Sequence, residues 1–415
     1  MEQILDLHIH SKYSRACSPQ LTLENIAQTC EIKGVHIIGT GDFTHPKWFS
    51  EIKKNLTPCP SSKKDSTLYC LKNKAKLANQ TKFILSTEIS LIYKENEKVR
   101  KIHLILHAPN IKSVEKLNKY LDKNYNIRSD GRPILGMSAP NLVKLCLGIH
   151  PQFLIYPAHI WTPWFAVFGS KSGFDSLKNC FQDTVKNIYA YETGLSSDPE
   201  MNWRLSQLNN LTLLSNSDAH SLINIGREAN IMELEKVDYN EIYQIIKKGN
   251  KNTSRKSYLK STIEFYPEEG IYHWDGHRDC GVSFSPTETK KHQGICPKCH
   301  KKLTIGVSYR VDELADQKSN FKPKNAKTFT KLIELDKIIA EAIGIKSRQA
   351  KSVQKEYNNL INTIGNELFI LRKANLNEIK KASSQRIAQG IKKMRSGKLT
   401  IEPGFDGKYG KIKIF

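Results

Sequence analysis

The stretch Ile4-Leu5-Asp6-Leu7-His8-Ile9-His10 decides the fold, because a short apolar run ends there in two side chains of a type that binds metals. Alternate side chains of a β-strand lie on the same face. His8 and His10 therefore point one way, whereas Leu7 and Ile9 point the other. The stretch predicts a buried strand that presents two imidazoles together near its carboxyl end.

The same pattern, an apolar run that ends in His, Asp or Glu, recurs before residue 235. The later runs span 36–42, 83–88, 101–107, 153–159, 188–192 and 211–220. Short runs rich in β-branched and aliphatic residues are typical of buried parallel strands. The helix-like stretches that separate several of them span 23–33, 114–121 and 141–146. Strands that alternate with helices in this way predict an α/β fold with a closed or nearly closed barrel.

Barrels of this kind carry their chemistry where the strands end. A single His at such a position is more often a packed core residue, but packing does not explain ligand-type side chains at nearly every strand end. Asp218 and His220 repeat the spacing of His8 and His10. Mixed His and carboxylate ligands favour zinc, manganese or iron over calcium. We therefore predict two ions about 3.5–4 Å apart, bridged by Glu88, with a bound water that attacks a phosphate ester.

Six motifs resemble, in the same order, those of the PHP (polymerase and histidinol phosphatase) superfamily. They are Asp6-Leu7-His8-Ile9-His10, Gly39-Thr40-Gly41-Asp42, Ser86-Thr87-Glu88, Ile102-His103-Leu104, Pro157-Ala158-His159 and Ser217-Asp218-Ala219-His220. The resemblance covers residues 4–235. It implies a distorted seven-stranded (β/α) barrel, within an expected domain at 1–250, that carries a two- or three-metal phosphoesterase site.

The resemblance also implies which residues hold the ions. The implied ligands are His8, His10, Asp42, Glu88, His103, His159, Asp218 and His220. The first ion would take His8, His10, Glu88 and Asp218, and the second would take Glu88, His103 and His159. Asp42 and His220 would hold a third, and Glu88, Asp218 and His220 are the expected catalytic residues. The catalytic ions are expected to be Zn²⁺, Mn²⁺ or Mg²⁺.

Two departures from the superfamily pattern concern this third ion. Phe43 follows Asp42 where members often have His, and the next His is His45. Cys17 lies in the stretch after the first motif where a His or Asp is usual. The third site is therefore expected to be less complete than the other two.

A second metal site is predicted within 251–320, after a polar, basic linker at 250–260. His277 and Cys280 are followed, sixteen residues after Cys280, by Cys296 and Cys299. HxxC and CxxC at this separation are typical of a tetrahedral structural zinc site. His292 and His300 compete for the place of the fourth ligand. A CxxC pair without a metal remains an alternative.

The expected third region, 321–415, is helical and basic. It contains 21 Lys and Arg against 8 Asp and Glu, with pairs such as Lys380-Lys381 and Lys392-Lys393. The whole chain has a formal charge of +23. Such a charge suits a polyanionic partner through contacts to phosphates. A host with lysine-rich proteins would explain the charge of the whole chain without a partner. A solvated helix face would likewise explain the basic pairs.

Four aromatic residues follow the strand that ends at His159, namely Trp161, Trp164, Phe165 and Phe168. Exposed aromatic rings could stack on an unpaired or flipped base beside the metals. Lys171 and Arg204 are the further candidates for DNA contact. Core packing beneath a loop is an equally good explanation of the aromatic residues.

The whole chain resembles the endonuclease Q family of DNA-repair enzymes, which joins a PHP barrel, a zinc-binding module and a basic helical region. Supporting stretches include residues 191–199, Met201-Asn202-Trp203-Arg204 and 403–410. The resemblance implies cleavage on the 5′ side of deaminated bases (uracil, hypoxanthine, xanthine) and of abasic sites. It also implies products with 3′-hydroxyl and 5′-phosphate ends.

Two other functions remain open from the residues. A small-molecule phosphomonoesterase of the histidinol-phosphatase type would explain the barrel but not the zinc module or the charge. A non-catalytic nucleic-acid binder would leave the ligand set without a purpose. The sequence has no apolar run of membrane-spanning length and opens without the pattern of a signal peptide. We therefore expect a cytoplasmic protein.

Overall fold

The structure is a computed structural model in which residues 1–60, 67–74, 80–249 and 256–415 are described. Most of the predicted linker, residues 250–255, lies outside the described residues, and with it the predicted boundary between 1–250 and 251–320. The described chain is a mixed α/β fold with a helical C-terminal region, which confirms the predicted class. The domain division stays a prediction.

Each of the seven predicted runs contains a strand. The strands before residue 250 are β1 (Glu2–Asp6), β2 (Ile37–Gly39), β3 (Leu56–Pro58), β4 (Tyr69–Leu71), β5 (Lys82–Ile84), β6 (Ser86–Glu95), β7 (Lys98–His107), β8 (Ile134–Leu135), β9 (Leu154–Pro157), β10 (Ala190–Glu192), β11 (Thr212–Leu214) and β12 (Ala229–Glu233). Five short strands, β2, β4, β9, β10 and β11, are buried at every residue, because they run through the core.

Helices separate many of these strands. They are α1 (Leu23–Lys33), α2 (Pro46–Asn55), α3 (Ile111–Asn124), α4 (Ala139–Ile149), α5 (Leu177–Phe181), α6 (Pro199–Asn202) and α7 (Tyr239–Lys248). The ends of α1 agree with the predicted 23–33. Thr22 caps its N-terminus by accepting a hydrogen bond from the Asn25 amide, and Gly34 ends it in the left-handed conformation with φ of 88°.

Strand directions differ in one respect from the parallel arrangement predicted. β1, β2 and β5 pair in parallel, and so do β10 and β11. β7, in contrast, is antiparallel to both β6 and β9. The correction has a local cause, because only Asn96 and Glu97 connect β6 to β7, both with positive φ, and a two-residue turn can join only antiparallel strands.

Several of the sheets meet through backbone contacts at their ends. Ile9 forms an isolated parallel bridge with Ala219, which brings the end of β1 against the segment after β11. The Thr193 amide donates to the Leu214 carbonyl at 3.0 Å, and the Ile160 amide donates to the Glu192 carbonyl at 3.1 Å. The segments after β1, β9, β10 and β11 therefore lie side by side.

The region after residue 256 first adds strands to the sheet that contains β1 and then becomes helical. Its strands are β13 (Tyr258–Glu264), β14 (Asp275–His277), β15 (Val282–Phe284), β16 (Thr328–Lys331), β17 (Thr400–Glu402) and β18 (Lys411–Lys413). Its helices are α8 (Pro286–Lys291), α9 (Val307–Leu314), α10 (Leu335–Ala342), α11 (Lys351–Thr363), α12 (Glu367–Arg372), α13 (Leu376–Ala382) and α14 (Gln385–Arg395). β13 pairs with β12, and β16 pairs with β13, so one eight-stranded sheet contains strands from three predicted regions.

A disulfide that the sequence did not indicate joins Cys59 and Cys70 across the paired strands β3 and β4. Both residues are buried. Among the described residues, no helix combines the length and the apolar character needed to cross a bilayer. The cytoplasmic location stays a prediction.

Candidate metal centre

Four side chains from distant parts of the chain converge at the carboxyl ends of β1 and β11. Donor atoms of His8, His10, Glu88 and Asp218 all lie within 4.8 Å of one another. His10 Nε2 is 3.1 Å from Asp218 Oδ1 and 3.3 Å from Glu88 Oε2. His8 Nε2 is 3.5 Å from Asp218 Oδ1 and 3.8 Å from Glu88 Oε2. One ion-sized space is thus surrounded by two imidazoles and two carboxylates.

A second group of donors shares Glu88 with the first. His103 and His159 join Glu88 with all donor atoms within 4.8 Å. Glu88 Oε1 is 2.7 Å from His103 Nδ1 and 3.1 Å from His159 Nε2. Glu88 therefore turns one oxygen toward each group, which is the geometry of a bridging carboxylate. We call these six side chains (His8, His10, Glu88, His103, His159 and Asp218) the rim cluster.

The hydrogen bonding of the two ring nitrogens of His8 indicates whether a cation fits this cluster. Its Nδ1 lies 3.1 and 3.0 Å from the two oxygens of the buried Glu192, which fixes the ring. Its Nε2 is buried and has no hydrogen-bond partner among the described residues. A histidine held by a carboxylate on one nitrogen and bare on the other is the usual arrangement around a bound metal ion. The donor set therefore fits divalent ions.

The carboxylates of the cluster are ionised. Burial alone would raise the pKa of Glu88, but nearby positive charge, including that of Arg132, holds it well below its ordinary value. Burial alone would lower the pKa values of His8 and His10, but the neighbouring carboxylates Glu192, Asp42 and Asp218 raise them well above the ordinary value. A cation that binds at these two rings therefore takes the place of protons, so metal binding there is expected to weaken as the pH falls.

The two residues expected to hold a third ion are placed differently. Asp42 is buried and accepts hydrogen bonds from the Ser11 amide at 2.7 Å and the Ser14 hydroxyl at 2.8 Å, and lies 3.1 Å from His10 Nδ1. It thus supports the ring of His10 from behind. The centroid of the His220 ring lies 4.5 Å from that of the His10 ring, with the two rings tilted by 52°. Neither residue belongs to the donor groups found among the described residues, and the third ion stays a prediction.

Three residues of the centre have left-handed backbone conformations, namely Asp42, His159 and Asp218, with φ of 49°, 25° and 46°. Such conformations are uncommon for residues other than glycine, cost on the order of 1–3 kcal/mol each, and cluster at functional sites. Gly194 allows the chain to pass close to one of them, because an added Cβ would lie 2.4 Å from His159 Cβ. The backbone conformations of these loops therefore determine the directions in which Asp42, His159 and Asp218 point.

The aromatic residues after His159 divide into two kinds. Trp161 and Phe168 are buried against each other, and the Trp161 indole donates to Asn202 at 2.8 Å. Their predicted contact with a base is therefore corrected: they belong to the core. Phe165 packs its ring 4.6 Å from that of His103, and Trp164 is 43% exposed.

A cavity of about 260 Å³ opens beside Trp164. Its lining consists of Thr162, Pro163, Trp164, Ser196, Pro267, Gly270, Ile271, Tyr272 and His273. Thr162 Oγ1 also lies 3.0 Å from Nδ1 of the predicted ligand His159, so the cavity adjoins the rim cluster. Of the other predicted DNA contacts, Lys171 is exposed, whereas Arg204 is paired with Asp312 at 2.6 Å.

The predicted zinc ligands also come together. Donor atoms of His277, Cys280, Cys296 and Cys299 lie within 4.8 Å of one another, and neither His292 nor His300 belongs to this group. His292 instead stacks on Phe284. We call these four side chains the sulfur cluster. Three thiol groups and one imidazole fit a tetrahedral zinc ion, although the ion itself stays a prediction.

Two residues of the centre were missing from the predicted site. Glu192 ends β10 beside His8, and its position at a strand end was a signal that could have identified it. Arg132 lies 2.9 Å from Glu88 Oε2, on a loop with no periodic pattern. Nothing in the sequence indicated that this loop reaches the rim cluster.

Known proteins resemble this chain over part or all of its length. Residues 334–398 match the family described as the MJ0043 C-terminal domain. The uncharacterized protein YqxK of Bacillus subtilis is 29% identical over 420 residues, which cover 98% of each chain. The uncharacterized protein MJ0043 of Methanocaldococcus jannaschii is 34% identical over 257 residues, which cover 61% of this chain. The chain spans only 31% of that longer relative.

Two solved structures share the whole fold. One is the lesion-specific endonuclease PfuEndoQ from Pyrococcus furiosus, with a TM-score of 0.85 and 30% identity over 100% of this chain and 95% of that one. The other is endonuclease Q in complex with a 27-mer duplex that has an abasic lesion at the active site, with the same score and identity over 97% of its chain. Both likenesses include the segments that follow the barrel.

Proposed function

This chain belongs to the endonuclease Q family and is a metal-dependent phosphodiesterase, and from that premise we propose which bonds it cuts. Its substrate is DNA that carries a deaminated base (uracil, hypoxanthine or xanthine) or an abasic site. It hydrolyses the phosphodiester on the 5′ side of the lesion. The ends it leaves are a 3′-hydroxyl and a 5′-phosphate.

The observation that carries this proposal is the position of Glu88 between two donor groups. Its Oε2 faces His10 at 3.3 Å, and its Oε1 faces His103 at 2.7 Å. When bound, two divalent ions would activate a water and neutralise the charge of the phosphate. His8, His10 and Asp218 would hold the first ion with Glu88, and His103 and His159 the second.

The remaining groups of the centre orient these ligands and leave one side open. Glu192 holds the ring of His8, and Asp42 supports that of His10. The side chain of Asp218 is 22% exposed and that of His220 is 31% exposed, whereas Glu88 is fully buried. The ester therefore approaches from the side of Asp218 and His220. His220 is the side chain available there to hold a proton as the leaving oxygen departs.

The cavity beside Trp164 is the candidate receptor for a nucleotide turned out of the duplex. Its volume of about 260 Å³ is below the ~300–1,000 Å³ of pockets for drug-sized molecules and suits a single base. The ring of Tyr272 lies 5.8 Å from that of Trp164 and adds a second aromatic wall. A damaged or missing base pairs poorly, so turning out its nucleotide costs less than for an intact pair.

The basic C-terminal region is proposed to hold the duplex by its backbone. Five basic side chains of α13, α14 and the segment after α14 are exposed, namely Lys380, Lys381, Arg386, Lys392 and Lys398. Contacts of this kind are insensitive to sequence and weaken as salt rises. The sulfur cluster, loaded with zinc, would stabilise the segment between the barrel and this region. We keep the seven-stranded barrel as part of the proposal, supported by the backbone contacts between β9, β10, β11 and β1.

The test is cleavage of end-labelled duplexes, each with one uracil, hypoxanthine, xanthine or abasic site at a known position, beside an undamaged duplex. The expected result is a single cut at the 5′ phosphodiester of the lesion, abolished by chelator and restored by Mn²⁺ or Mg²⁺. Equal cutting of the undamaged duplex would refute the lesion preference. Turnover of a phosphomonoester without any DNA cleavage would favour the small-molecule phosphatase instead.

A further inference from the structure

Arg132 reaches into the rim cluster from a loop that supplies none of its metal donors. Its guanidinium Nη1 lies 2.9 Å from Oε2 of Glu88, the same oxygen that faces the first donor group. Its side chain is 24% exposed, so it meets both the buried carboxylate and solvent. It is therefore a cationic side chain on the open side of the centre.

The fold holds the loop of Arg132 firmly in this place. The Gly131 amide donates to the Tyr13 carbonyl at 3.0 Å, and the Arg132 amide donates to Asp130 Oδ1 at 2.9 Å. An added Cβ at Gly131 would lie 2.3 Å from Oδ2 of Asp42, so the loop is packed directly on the centre. On the other side of Arg132, the Pro133 carbonyl accepts a hydrogen bond from the Ser90 amide at 3.0 Å. The position of Arg132 is thus set by contacts on both sides of it in the chain.

Glu88 pairs with Arg132 in this structure, but bound ions would engage Glu88 and leave the charge of Arg132 without that partner. Both oxygens of Glu88 face donor groups and would be engaged by cations, whereas a guanidinium remains charged at any pH the protein meets. A guanidinium beside two divalent ions is favourable only when a further anion lies between them. A phosphodiester offers two non-bridging oxygens, which match the forked N–H groups of arginine.

We propose that Arg132 is a catalytic residue that exchanges Glu88 for the scissile phosphodiester and donates hydrogen bonds to its non-bridging oxygens. The inference rests on the proposed function. As the oxygen of water bonds to phosphorus, the P–O3′ bond breaks and the 3′ oxygen leaves with a proton. Negative charge on the non-bridging oxygens is held by Arg132 during this exchange, and preorganised donors of this kind contribute strongly to rate.

The experiment compares Arg132→Gln with Arg128→Gln, which removes the same charge from the same loop. Arg128 is paired with the exposed Asp122 and lies outside the rim cluster. Three quantities are measured for each variant: the single-turnover rate of cleavage of an abasic duplex, the metal content of the protein, and the affinity for the same duplex in the presence of chelator. Arg132→Gln is expected to slow cleavage on the order of 10²–10³-fold, with metal content unchanged, whereas Arg128→Gln cleaves like wild type.

Chemical rescue separates catalysis from structural support. Added guanidinium ion, at concentrations too low to unfold the protein, is expected to restore part of the rate of Arg132→Ala and none of that of Asp218→Ala. Wild-type cleavage by Arg132→Gln, loss of its ions, or no rescue of Arg132→Ala would each overturn the inference while the proposed function stands. If the wild-type protein cuts no lesion duplex at all, both are overturned.

Discussion

The rim cluster and the sulfur cluster gather side chains over very different lengths of chain. The first draws donors from His8 to Asp218, all but Asp218 buried, with carboxylates among them. The second draws its donors from the stretch between His277 and Cys299, and of its four donors only Cys296 is buried. Beneath the sulfur cluster the apolar packing among described residues consists of Val282, Cys296 and Leu303 with a few half-buried neighbours.

The difference lies in what holds each cluster together before an ion arrives. Strands buried in the α/β core position the rim cluster, and Glu192 and Asp42 hold the rings of His8 and His10, so we expect this geometry to persist without an ion. The sulfur cluster has a small apolar core and short strands, and a small module of this kind draws much of its stability from the metal. We expect ion removal to stop chemistry at the first cluster and to unfold the second.

The largest expected effect is that of Asp218→Ala. It removes a donor from the first group without touching the basic C-terminal region. Cleavage should fall by on the order of 10³-fold or more, since metal assistance supplies several kcal/mol of transition-state stabilisation, while binding to a lesion duplex is largely kept. Single-turnover rates and a binding titration measure the two. Cleavage retained by this variant would show that the rim cluster is not the active centre.

Cys296→Ser tests the other side of the comparison. We expect loss of one zinc per chain and a rise of on the order of 10²-fold in amide hydrogen exchange within 275–304, because structural zinc supplies folding free energy. Exchange in β1 and β11 should stay as in wild type. Cys17→Ser, which leaves the sulfur cluster intact, is the control. Unfolding of the whole chain, or none at all, would contradict a locally metal-dependent module.

Glu192→Gln asks how much the fold contributes to holding ions at the rim cluster. Glutamine keeps the size of the side chain but loses the charge that orients His8. Metal affinity should fall about 10–100-fold, the usual effect of removing such a partner. Titration of the apoprotein with Mn²⁺ measures it, and the exposed Glu200→Gln serves as the matched control. Unchanged affinity would mean that His8 needs no support.

Trp164→Ala is expected to have the smallest effect, because it changes neither cluster. Loss of a stacking surface is worth about 1–3 kcal/mol per base, so the preference for lesion over undamaged duplex should weaken by a few-fold to a hundredfold. Metal content should not change. The ratio of the two cleavage rates is the measurement. A ratio equal to that of wild type would remove the cavity beside Trp164 from the proposal.

The sequence predicted the rim donors well because a strand has a fixed period. The strand period predicts that His8 and His10 share one face, and both belong to the same donor group. The same period does not account for Asp218 and His220, because Asp218 has a left-handed φ of 46° beyond the end of β11 and His220 lies outside the donor groups. Loops have no such period. The approach of Arg132 to Glu88, the burial of Trp161 and Phe168, and the pairing of Arg204 with Asp312 all depend on tertiary contacts that composition does not encode. The antiparallel direction of β7 comes from the two-residue turn at Asn96 and Glu97, which lacks the glycine that usually marks such a turn in a sequence.

The eight-stranded sheet has a mechanical consequence. β16 leads into the helical region, and the ladder from it through β13 and β12 reaches β1, the strand that continues into His8 and His10. Because one hydrogen-bonded ladder joins these strands, we expect them to move together, so a displacement of the C-terminal helices would also displace the first ligands. We therefore expect the conformational change on binding to occur in the DNA: the duplex bends and a nucleotide leaves the stack, while the protein surfaces that contact the duplex keep their conformation.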